Sequence, residues 1–351
     1  MNLEFNIKNI KKTVAVAMSG GVDSSTTAYI LKKQGYNVFG ITMKTYGKED
    51  EDAKKICEDL EIEHYILDVT REFEEEVINY FINEYSLGRT PNPCMMCNKK
   101  IKFGKLIEFA MEKGADFLAT GHYANLENGN LVIGDDSSKD QVYFLSHIKK
   151  KYLEKIMFPL GKMKKSVVRE LAKNLGIRVH AKKDSQEICF IKNEELKDFL
   201  IRKTNGKIYK PGKIIDTEGK VLGIHNGLAF HTIGQRKGLG ITSLEPLYVV
   251  ALDTYENIVI VGNNNDLLKK KLIAENINLL SKESIKNLDK IECFVKTRSR
   301  DRLHPCRLNL LDDNTIEIEL IEDEIRAITP GQGAVFYTES GEVIGGAFIK
   351  N

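Results

Sequence analysis

The feature that most constrains the fold is a short apolar segment near the N-terminus that leads into a glycine turn and a helix. Thr13 to Ala17 predicts a buried strand, Ser19-Gly20-Gly21 predicts a sharp turn, and Ser24 to Gln34 predicts a helix. Glycine lets the backbone approach an anion closely, and a helix N-terminus presents unpaired N–H groups and a positive dipole end. With the hydroxyls of Ser19, Ser24 and Ser25 as further donors, the segment predicts a phosphate-binding loop.

The pattern of this loop differs from the two commonest nucleotide-binding motifs. No Lys follows the glycines as in GxxxxGK[ST], and the spacing is not GxGxxG. The string SGGVDSS resembles the signature of the PP-loop ATP pyrophosphatases, which cleave ATP between the α- and β-phosphates and leave AMP on an oxygen of the substrate. This resemblance implies that Asp23 helps to place Mg²⁺ and the pyrophosphate. The structural alternative is a chance Ser/Gly-rich turn at a helix N-terminus.

Strand and helix patterns alternate through the first third of the chain. A chain of 351 residues predicts two or three domains, and this alternation predicts a mostly parallel sheet with ligands at the carboxyl ends of its strands. Met43, at the end of the second strand, lies near an adenine or packs in the core. The predicted strands are 37–43, 65–69 and 117–120, and the predicted helices are 52–60, 72–85 and 100–113.

Composition narrows the class of protein. With 42% hydrophobic and 29% charged residues, the chain reads as soluble and globular, and no apolar run approaches the roughly 20 residues that span a bilayer. The N-terminus lacks the apolar stretch of a secretory signal, so we expect a cytoplasmic, reducing compartment and no membrane partner. Six cysteines in such a compartment indicate reactive or metal-binding thiols. A net charge of +2 leaves a nucleic-acid partner open.

A second informative stretch is GRTPNPCMMCN, from Gly88 to Asn98. Its two prolines predict a rigid, extended backbone ahead of a CxxC at Cys94 and Cys97. The CxxC is a redox pair, half of a metal site, or a reactive thiol with a neighbour. The lysines at 99, 100 and 102 are expected to lower the pKa of a thiol here.

The motifs after residue 98 are each less specific than the two stretches described above. His122, in TGHYA, is a base, a ligand or a hydrogen-bonded framework residue, and Asn128-Gly129 predicts a hairpin turn. Lysine clusters at 149–151 and 162–165 are solvated faces or contacts to a phosphate backbone. Cys189 stands alone beside an apolar run, where a cysteine is usually a small buried hydrophobe.

The second half of the chain is rich in short strands. A hairpin at 213–223 and strands at 247–252 and 258–261 predict a small central domain, and strands at 292–297, 306–311, 315–320 and 334–338 predict a barrel or sandwich. The arginines at 298, 300 and 302 cluster at one turn and suit phosphates. Cys57, Cys293 and Cys306 have no motif around them and are interpreted as structural.

Five motifs, taken together and in order, resemble tRNA-specific 2-thiouridylases. They are SGGVDSS, GRTPNPxxxCNxxIKF, TGHYA, SQxICFI and HTIGQRKGLG. The resemblance covers nearly the whole chain. It implies an α/β fold with an N-terminal PP-loop, adenine nucleotide α-hydrolase-like parallel-sheet domain at 1–205, a small central β-rich linker domain at 206–268 and a C-terminal β-barrel domain at 269–351.

The resemblance also implies a reaction. ATP with Mg²⁺ adenylates the C2 oxygen of the wobble uridine in the anticodon of tRNAs for Lys, Glu and Gln, and sulfur then displaces AMP to leave 2-thiouridine, with the base flipped out of its stack. Cys189 carries a persulfide delivered by a cysteine desulfurase or sulfur-relay protein, and Cys97 releases the sulfur, leaving a Cys97–Cys189 disulfide that a reductant reopens. The implied contacts are Ala17, Met18, Ser19, Gly20, Gly21, Val22, Asp23, Ser24, Met43 and Gly121 for ATP, Asn92, Pro93 and Cys94 for the target base, and Lys139, Asp140, Gln141, Arg298 and Ser299 for the rest of the tRNA.

One position departs from the family pattern. Most members have Asp where this chain has Cys94, so a candidate base is replaced by a third thiol. Cys94, Cys97 and Cys189 would suit a 4Fe–4S cluster with one open iron, as in related tRNA thiolases, with inorganic sulfide as the sulfur source. Persulfide and cluster mechanisms both remain, and the third thiol slightly favours the cluster.

Two other functions explain part of the sequence. A PP-loop amidating ligase accounts for SGGVDSS but not for the cysteines. A non-catalytic RNA-binding module with Zn²⁺ on Cys94, Cys97 and Cys189 accounts for the thiols but not for the phosphate loop.

Overall fold

A computed structural model describes residues 11–45, 51–182, 188–191, 194–281 and 285–351. The chain divides into two compact units. The first comprises Met1–Glu76, Cys94–Gln186 and Ser340–Val343, and the second comprises Val77–Pro93, Glu187–Glu339 and Ile344–Asn351. No helix within the described ranges is both long enough and apolar enough to cross a bilayer.

Strands and helices alternate as far as residue 119 in the described chain, and short strands and one helix follow up to residue 182. The strands are β1 (Thr13–Ala17), β2 (Asn37–Lys44), β3 (Glu63–Asp68), β4 (Phe117–Ala119), β5 (Ala124–Glu127), β6 (Asn130–Ile133) and β7 (Ile156–Met157). The helices are α1 (Val22–Lys33), α2 (Glu51–Asp59), α3 (Thr70–Phe73), α4 (Asn79–Ser86), α5 (Pro93–Met96), α6 (Ile107–Glu112) and α7 (Lys165–Asn174). Short 3₁₀ turns follow at Val142–Leu145 and Lys150–Lys155.

The first unit is built on the parallel sheet that the sequence predicts. Its five strands lie in the order β3-β2-β1-β4-β7, and every pairing is parallel. β1 lies at the centre because its apolar residues are covered on both faces, and Val14, Ala15 and Val16 are fully buried. The carboxyl end of β1 therefore meets the carboxyl ends of β2 and β4, where a ligand site is expected.

Two predicted helices are longer and less regular than their sequence patterns indicate. The helix predicted at 72–85 runs from α3 to α4 through a π-helical segment at Glu74–Ile78. The helix predicted at 100–113 begins earlier, at α5, and continues through a π-helical segment at Cys97–Leu106 into α6. The backbone of Phe103 leaves helical geometry, with φ −103° and ψ 28°. π-Helical turns often accompany functional sites.

The predicted Asn-Gly hairpin turn is confirmed. β5 and β6 pair antiparallel, with Glu127 opposite Asn130. Asn128 and Gly129 both have positive φ, at 53° and 81°, which is the conformation that a tight two-residue hairpin loop requires.

Within the described residues, the second unit contains α4, one later helix, a small sheet and a closed barrel. Its elements from residue 196 onward are α8 (Leu196–Lys203), β8 (Gly212–Asp216), β9 (Val221–His225), β10 (Tyr248–Asp253), β11 (Ile258–Gly262), β12 (Leu268–Lys269), β13 (Lys271–Leu279), β14 (Glu292–Lys296), β15 (His304–Leu310), β16 (Thr315–Leu320), β17 (Ile325–Arg326), β18 (Gly333–Tyr337) and β19 (Val343–Ile349), with 3₁₀ turns at Leu228–Phe230, Asn265–Leu267 and Ile285–Leu288.

The central sheet has the order β10-β11-β8-β9, and the barrel closes as β13-β16-β15-β14-β18-β19. The predicted barrel strands are present within one or two residues of their expected bounds. β13 and β19 were not predicted from the sequence; they pair with each other and complete the ring. Alternating residues such as Leu272, Ile316 and Ile318 fill the interior. Closure removes the exposed edges that an open sheet would present.

Candidate active site

The predicted phosphate loop is a tight turn between β1 and α1. Gly20 has φ +64°, a conformation that favours glycine, and α1 begins at Val22 with Gly21 as its extended N-cap. The Ser19 amide donates to the Ser24 hydroxyl oxygen at 3.3 Å, and the Ser24 hydroxyl donates to the Gly21 carbonyl at 3.1 Å. The glycine turn and the first turn of α1 therefore stabilise each other through these hydrogen bonds.

Two of the three hydroxyls expected as anion donors are used inside the loop, since the Ser24 hydroxyl already donates to the Gly21 carbonyl at 3.1 Å. Ser25 is fully buried, and its hydroxyl donates to the Gly21 carbonyl at 2.7 Å. A hydroxyl has a single hydrogen to donate, so Ser25 stabilises the helix start and does not face an anion.

Asp23, in the first turn of α1, is held by two partners far away in sequence. The Lys165 ammonium donates to both carboxylate oxygens at 2.8 and 2.7 Å, and the Tyr123 hydroxyl donates to one of them at 2.9 Å. The Lys165 side chain is 9% exposed and that of Asp23 is 31% exposed. In the sequence Lys165 belongs only to a basic cluster, and no local pattern links it to Asp23, 142 positions away.

Gly121 packs directly against this helix start. A Cβ at this position would lie 2.8 Å from the Asp23 Cβ, 2.9 Å from the Asp23 carbonyl carbon and 3.0 Å from the Ser24 amide nitrogen. Real Cβ atoms are not found this close to backbone, so only glycine allows the loop after β4 to approach the phosphate turn.

A cavity of about 190 Å³ opens at the carboxyl ends of β1, β2 and β4. Seven of the residues predicted to bind ATP line it, whereas Gly20, Gly21 and Val22 lie outside its lining. Gln141, predicted as a tRNA contact, also lines it. The lining residues are Ala17, Met18, Ser19, Asp23, Ser24, Ile41, Met43, Lys102, Thr120, Gly121, His122 and Gln141.

His122 forms one wall of this cavity and is 8% exposed. Its Nδ1 lies 2.6 Å from the Thr120 hydroxyl, its Nε2 lies 3.4 Å from the Lys102 ammonium, and Phe103 and Phe158 flank the ring. Burial, with a smaller effect from the Lys102 charge, holds the pKa of His122 well below its usual value. The imidazole is therefore neutral at physiological pH. The hydrogen-bonded framework interpretation fits this environment.

The CxxC lies on the long interrupted helix. Cys94 is in α5 and Cys97 opens the π-helical segment, so the two cysteines are one helical turn apart in sequence. Cys94 is exposed and Cys97 is half-buried. The neighbouring Asn98 is buried, and its amide donates to the Phe144 carbonyl at 2.9 Å, which anchors this turn of the helix.

The expected lowering of the thiol pKa is wrong for Cys94. Although part of the Cys94 side chain is exposed, the protein atoms packed around the thiol desolvate it and raise its pKa, and the charge of Lys102 only partly opposes that increase. Lys100 instead pairs with Glu76 at 2.9 Å. Of the three lysines that the sequence places after the CxxC, only Lys102 acts on Cys94 in the expected direction.

The loop before the CxxC belongs to the second unit and is anchored there at Thr90. The Thr90 amide donates to the Pro330 carbonyl at 2.8 Å, and the Gln332 side-chain amide donates to the Thr90 carbonyl at 2.7 Å. The Thr90 and Thr232 hydroxyls lie 3.4 Å apart. Two residues further on, Asn92 is 8% exposed. The two prolines predict a rigid loop, and the residues that anchor it are distant in sequence and leave no local signal.

Cys189 lies in the second unit and is exposed. The interpretation of an isolated cysteine as a buried hydrophobe is therefore wrong for this residue. The adjacent Phe190 is buried against Phe81 and Phe199, with ring centroids 5.3 and 5.5 Å apart. Ser185 and Gln186 of the SQxICFI motif lie outside the described residues.

The remaining cysteines are buried, as the structural interpretation expects. Burial raises the pKa of Cys57 to about 12. Cys293 and Cys306 face each other across β14 and β15 with their Sγ atoms 3.7 Å apart, and their hydrogen bond, together with burial, raises the pKa of Cys293. In the described ranges, no group of three or more His, Cys, Asp and Glu residues forms a metal-ligand set.

The predicted tRNA contacts outside the CxxC loop have local roles in the fold. The Asp140 carboxylate accepts the Gly134 amide at 2.9 Å, and the Gln141 side chain accepts the Tyr123 amide at 3.0 Å. Lys139 lies in the same turn and is half-buried. In the barrel, the exposed Arg298 donates to the Ala327 carbonyl at 2.7 Å and precedes the half-buried Ser299.

Comparison with known proteins covers almost the whole chain. Family models match residues 12–193 as "tRNA methyl transferase HUP domain", residues 197–263 as "tRNA methyl transferase PRC-barrel domain" and residues 269–349 as "Aminomethyltransferase beta-barrel domain". A solved 4-thiouridine synthetase in an RNA complex with bound ATP aligns at 18% identity and a TM-score of 0.35, over 55% of this chain and 50% of that chain. Similarity at this level carries no inference about ligands.

Curated relatives are far more similar. The tRNA-specific 2-thiouridylase MnmA 1 of Fusobacterium nucleatum is 59% identical over 99% of this chain and 96% of its own length. The tRNA-specific 2-thiouridylase MnmA 2 of Thermoanaerobacter sp. (strain X514) is 41% identical over 97% of this chain and 98% of its own length. The phosphate turn, the CxxC helix and this full-length similarity together show that the chain belongs to the tRNA-specific 2-thiouridylase family.

Proposed function

We propose that the chain is a tRNA-uridine 2-sulfurtransferase that uses ATP to replace the C2 oxygen of the wobble uridine by sulfur. The observation that carries this proposal is the lining of one cavity. Ser19 and Asp23 of the phosphate turn line it together with Lys102, which lies on the helix that begins at the CxxC. Nucleotide-binding groups and a thiol-bearing helix therefore meet at one place, as a coupled adenylation and thiolation requires.

ATP binds in this cavity through the predicted residues that line it, and Gly20, Gly21 and Val22 contribute to the same site through the backbone of the phosphate turn. The lining residues are Ala17, Met18, Ser19, Asp23, Ser24, Met43 and Gly121. The turn offers backbone N–H groups and the positive end of α1 to the phosphates. Asp23 is the residue that would hold Mg²⁺, because carboxylate oxygens suit this ion and the side chain is partly exposed. The ion would neutralise charge on the phosphates, and Lys165 would then share or release the carboxylate.

The chemistry proceeds in two balanced steps. The uridine C2 oxygen attacks the α-phosphorus, the bond to the β-phosphate breaks, its electron pair leaves on pyrophosphate, and the N3 proton goes to solvent. Sulfur then attacks C2, the C2–O bond breaks and AMP leaves with that electron pair. Adenylation makes this step feasible because the free C2 oxygen is a poor leaving group. We place the target base at Asn92, Pro93 and Cys94, and further tRNA contacts at Lys139, Asp140, Gln141, Arg298 and Ser299.

In the persulfide mechanism, Cys189 carries the sulfur and its terminal sulfur attacks C2. The Cys97 thiolate attacks the inner sulfur of Cys189, the S–S electron pair stays with the transferred sulfur, and a Cys97–Cys189 disulfide forms. An external thiol reductant supplies two electrons and two protons to reopen it. A cysteine desulfurase or sulfur-relay protein would load Cys189, whose exposure is compatible with such delivery.

A second mechanism follows from the thiol at position 94. Three thiolates with one open iron position suit a 4Fe–4S cluster, and Cys94, Cys97 and Cys189 would be its ligands, with inorganic sulfide as the donor. Cys94 and Cys97 share one helix, but no assembled three-ligand set occurs among the described residues. The observation that favours this mechanism is therefore the donor chemistry alone.

The rival functions make different predictions. A PP-loop amidating ligase would release AMP without a cysteine requirement, and a zinc-stabilised RNA-binding module would release none. Methyl transfer, named in two of the matching family models, would need no ATP cleavage. AMP release that requires tRNA and thiolation that requires Cys97 would together support the sulfurtransferase. AMP release that persists without tRNA would contradict it.

The experiment that separates the two sulfur mechanisms is analysis of iron and acid-labile sulfide in full-length protein purified without oxygen. About four of each per chain, lost in Cys94→Ala and retained in the control Cys57→Ala, would establish the cluster. Near-zero iron, with thiolation supported by a persulfide donor, would assign the sulfur to Cys189. Cys57 is a suitable control because it is a buried thiol of high pKa.

The cellular setting and the domain limits are part of the same proposal. A tRNA substrate and a requirement for reduced thiols fit a cytoplasmic location. The division into domains at 1–205, 206–268 and 269–351 stays a prediction.

A further inference from the structure

Among the described residues, Lys102 lines the nucleotide cavity and Lys165 pairs with a residue of its lining, and the charges of these two lysines are compensated differently. The Lys165 ammonium is paired with both oxygens of Asp23. Lys102 lines the cavity, and within the part of the chain that the structure describes no carboxylate forms an ion pair with it. A cation without a carboxylate partner can act on a negative charge brought by a ligand.

Lys102 has a neutral hydrogen-bond partner, His122, which orients the ammonium group without cancelling its charge. The Nε2 atom of His122 lies 3.4 Å from the Lys102 Nζ, and Nδ1 is engaged by the Thr120 hydroxyl at 2.6 Å. Because the ammonium can only donate, Nε2 accepts and the ring hydrogen lies on Nδ1. Burial among aromatic rings keeps the pKa of His122 low, so this acceptor stays neutral.

The local backbone also sets the position of Lys102. The residue lies in the π-helical segment that begins at Cys97, directly before the non-helical Phe103. Phe103 is fully buried beside His122 and Phe158. The charge of Lys102 also acts on the thiol of Cys94. Lys102 thus lies where the phosphate turn and the thiol-bearing helix meet.

We propose that Lys102 is a catalytic cation that contacts the α-phosphate of ATP and stabilises the charge that develops there during adenylation, with His122 and Thr120 as its positioning residues. This inference rests on the proposed sulfurtransferase function. As the C2 oxygen bonds to the α-phosphorus and pyrophosphate departs, negative charge gathers on the phosphoryl oxygens. A fixed cation at this point stabilises the transition state more than the ground state.

The test is single-turnover release of pyrophosphate from ATP by the full-length protein with unmodified tRNA, together with equilibrium ATP binding. Lys102→Gln is expected to slow pyrophosphate release by about 10²–10³-fold, the range found for loss of one preorganised donor, and to weaken ATP binding by less than about tenfold. Lys102→Arg retains the charge and is expected to recover most of the rate. Lys105→Gln is the matched control, since Lys105 lies on the same helix and pairs with Glu72 at 3.8 Å.

The outcomes separate this inference from the function on which it rests. If the wild-type protein releases no pyrophosphate with tRNA, the sulfurtransferase proposal fails. If the wild type is active and Lys102→Gln releases pyrophosphate at a rate within threefold of it, the assignment of Lys102 is overturned. Normal pyrophosphate release with lost thiolation would also overturn it and would assign Lys102 to the Cys94 thiol instead. Retained ATP binding shows that the variant has folded.

Discussion

The ion pair between Asp23 and Lys165 should be a strong local determinant of stability at the phosphate turn. Replacing Asp23 by Asn removes a carboxylate that accepts two bonds from the Lys165 ammonium, at 2.8 and 2.7 Å, and takes this counter-charge away from a lysine side chain that is only 9% exposed. Losing one partner of a buried charge pair costs roughly 2–5 kcal/mol. Because Asp23 is 31% exposed, we expect the lower end, about 2 kcal/mol.

The loss of this ion pair makes the effects of the two substitutions non-additive. Lys165→Met alone should cost less than Asp23→Asn, because the remaining carboxylate is partly solvated and still accepts the Tyr123 hydroxyl at 2.9 Å. The double variant should be more stable than the sum of the two single variants indicates, by about 1–2 kcal/mol, since it removes both charges of the pair.

Hydrogen exchange of the α1 amides is the appropriate assay, because a chain with two compact units need not unfold in one step. A local loss of about 2 kcal/mol corresponds to roughly 30-fold less protection of this helix. Asp59→Asn is the matched control. Asp59 also forms a two-bond pair, with Arg178 at 2.6 and 2.9 Å, but that pair is exposed, and no loss of protection is expected. Strictly additive effects of Asp23→Asn and Lys165→Met would refute the reasoning.

Three further predictions follow from single contacts. Gly121→Ala places a Cβ 2.8 Å from the Asp23 Cβ and should displace the phosphate turn at a cost of about 1–3 kcal/mol. Equilibrium binding should show an ATP affinity at least about tenfold weaker. An unchanged affinity would contradict the close packing. Burial lowers the pKa of His147 to about 3, so the native state keeps this ring neutral while the unfolded chain protonates it below its ordinary value near 6.5. Stability should therefore fall as pH falls from about 6.5 towards 3, by a factor of about ten in the folding equilibrium per pH unit. Denaturation midpoints between pH 7 and 4 should show a shallower acid dependence in His147→Gln, and an unchanged slope would refute the assignment. Gln332→Ala removes the 2.7 Å hydrogen bond to the Thr90 carbonyl at a cost of about 1 kcal/mol. Single-turnover thiolation should become slower, whereas ATP affinity should stay the same. A thiolation rate within twofold of wild type would count against this anchor.

Much of the fold could be predicted from local sequence patterns. Two regions were predictable because their conformations depend on neighbouring residues. In the strand, turn and helix at 13–33, an apolar run is long enough for one strand and a glycine adopts positive φ. In the hairpin, Asn128 and Gly129 have the positive φ that a two-residue turn requires. The barrel strands were predictable where apolar and polar residues alternate. β13 and β19 escaped notice because their role in closing the barrel depends on pairing between segments about 70 residues apart.

The candidate site divides in the same way. The sequence by itself determined the phosphate turn, the CxxC and the family, because those signals consist of residues at short, fixed spacing. Only the tertiary structure decided which charges are compensated. It paired Lys165 with Asp23, left Lys102 beside a neutral His122, and raised the pKa of Cys94 where three nearby lysines had predicted the opposite. Desolvation and long-range pairing depend on all the atoms packed around a group, and one-dimensional spacing does not contain that information.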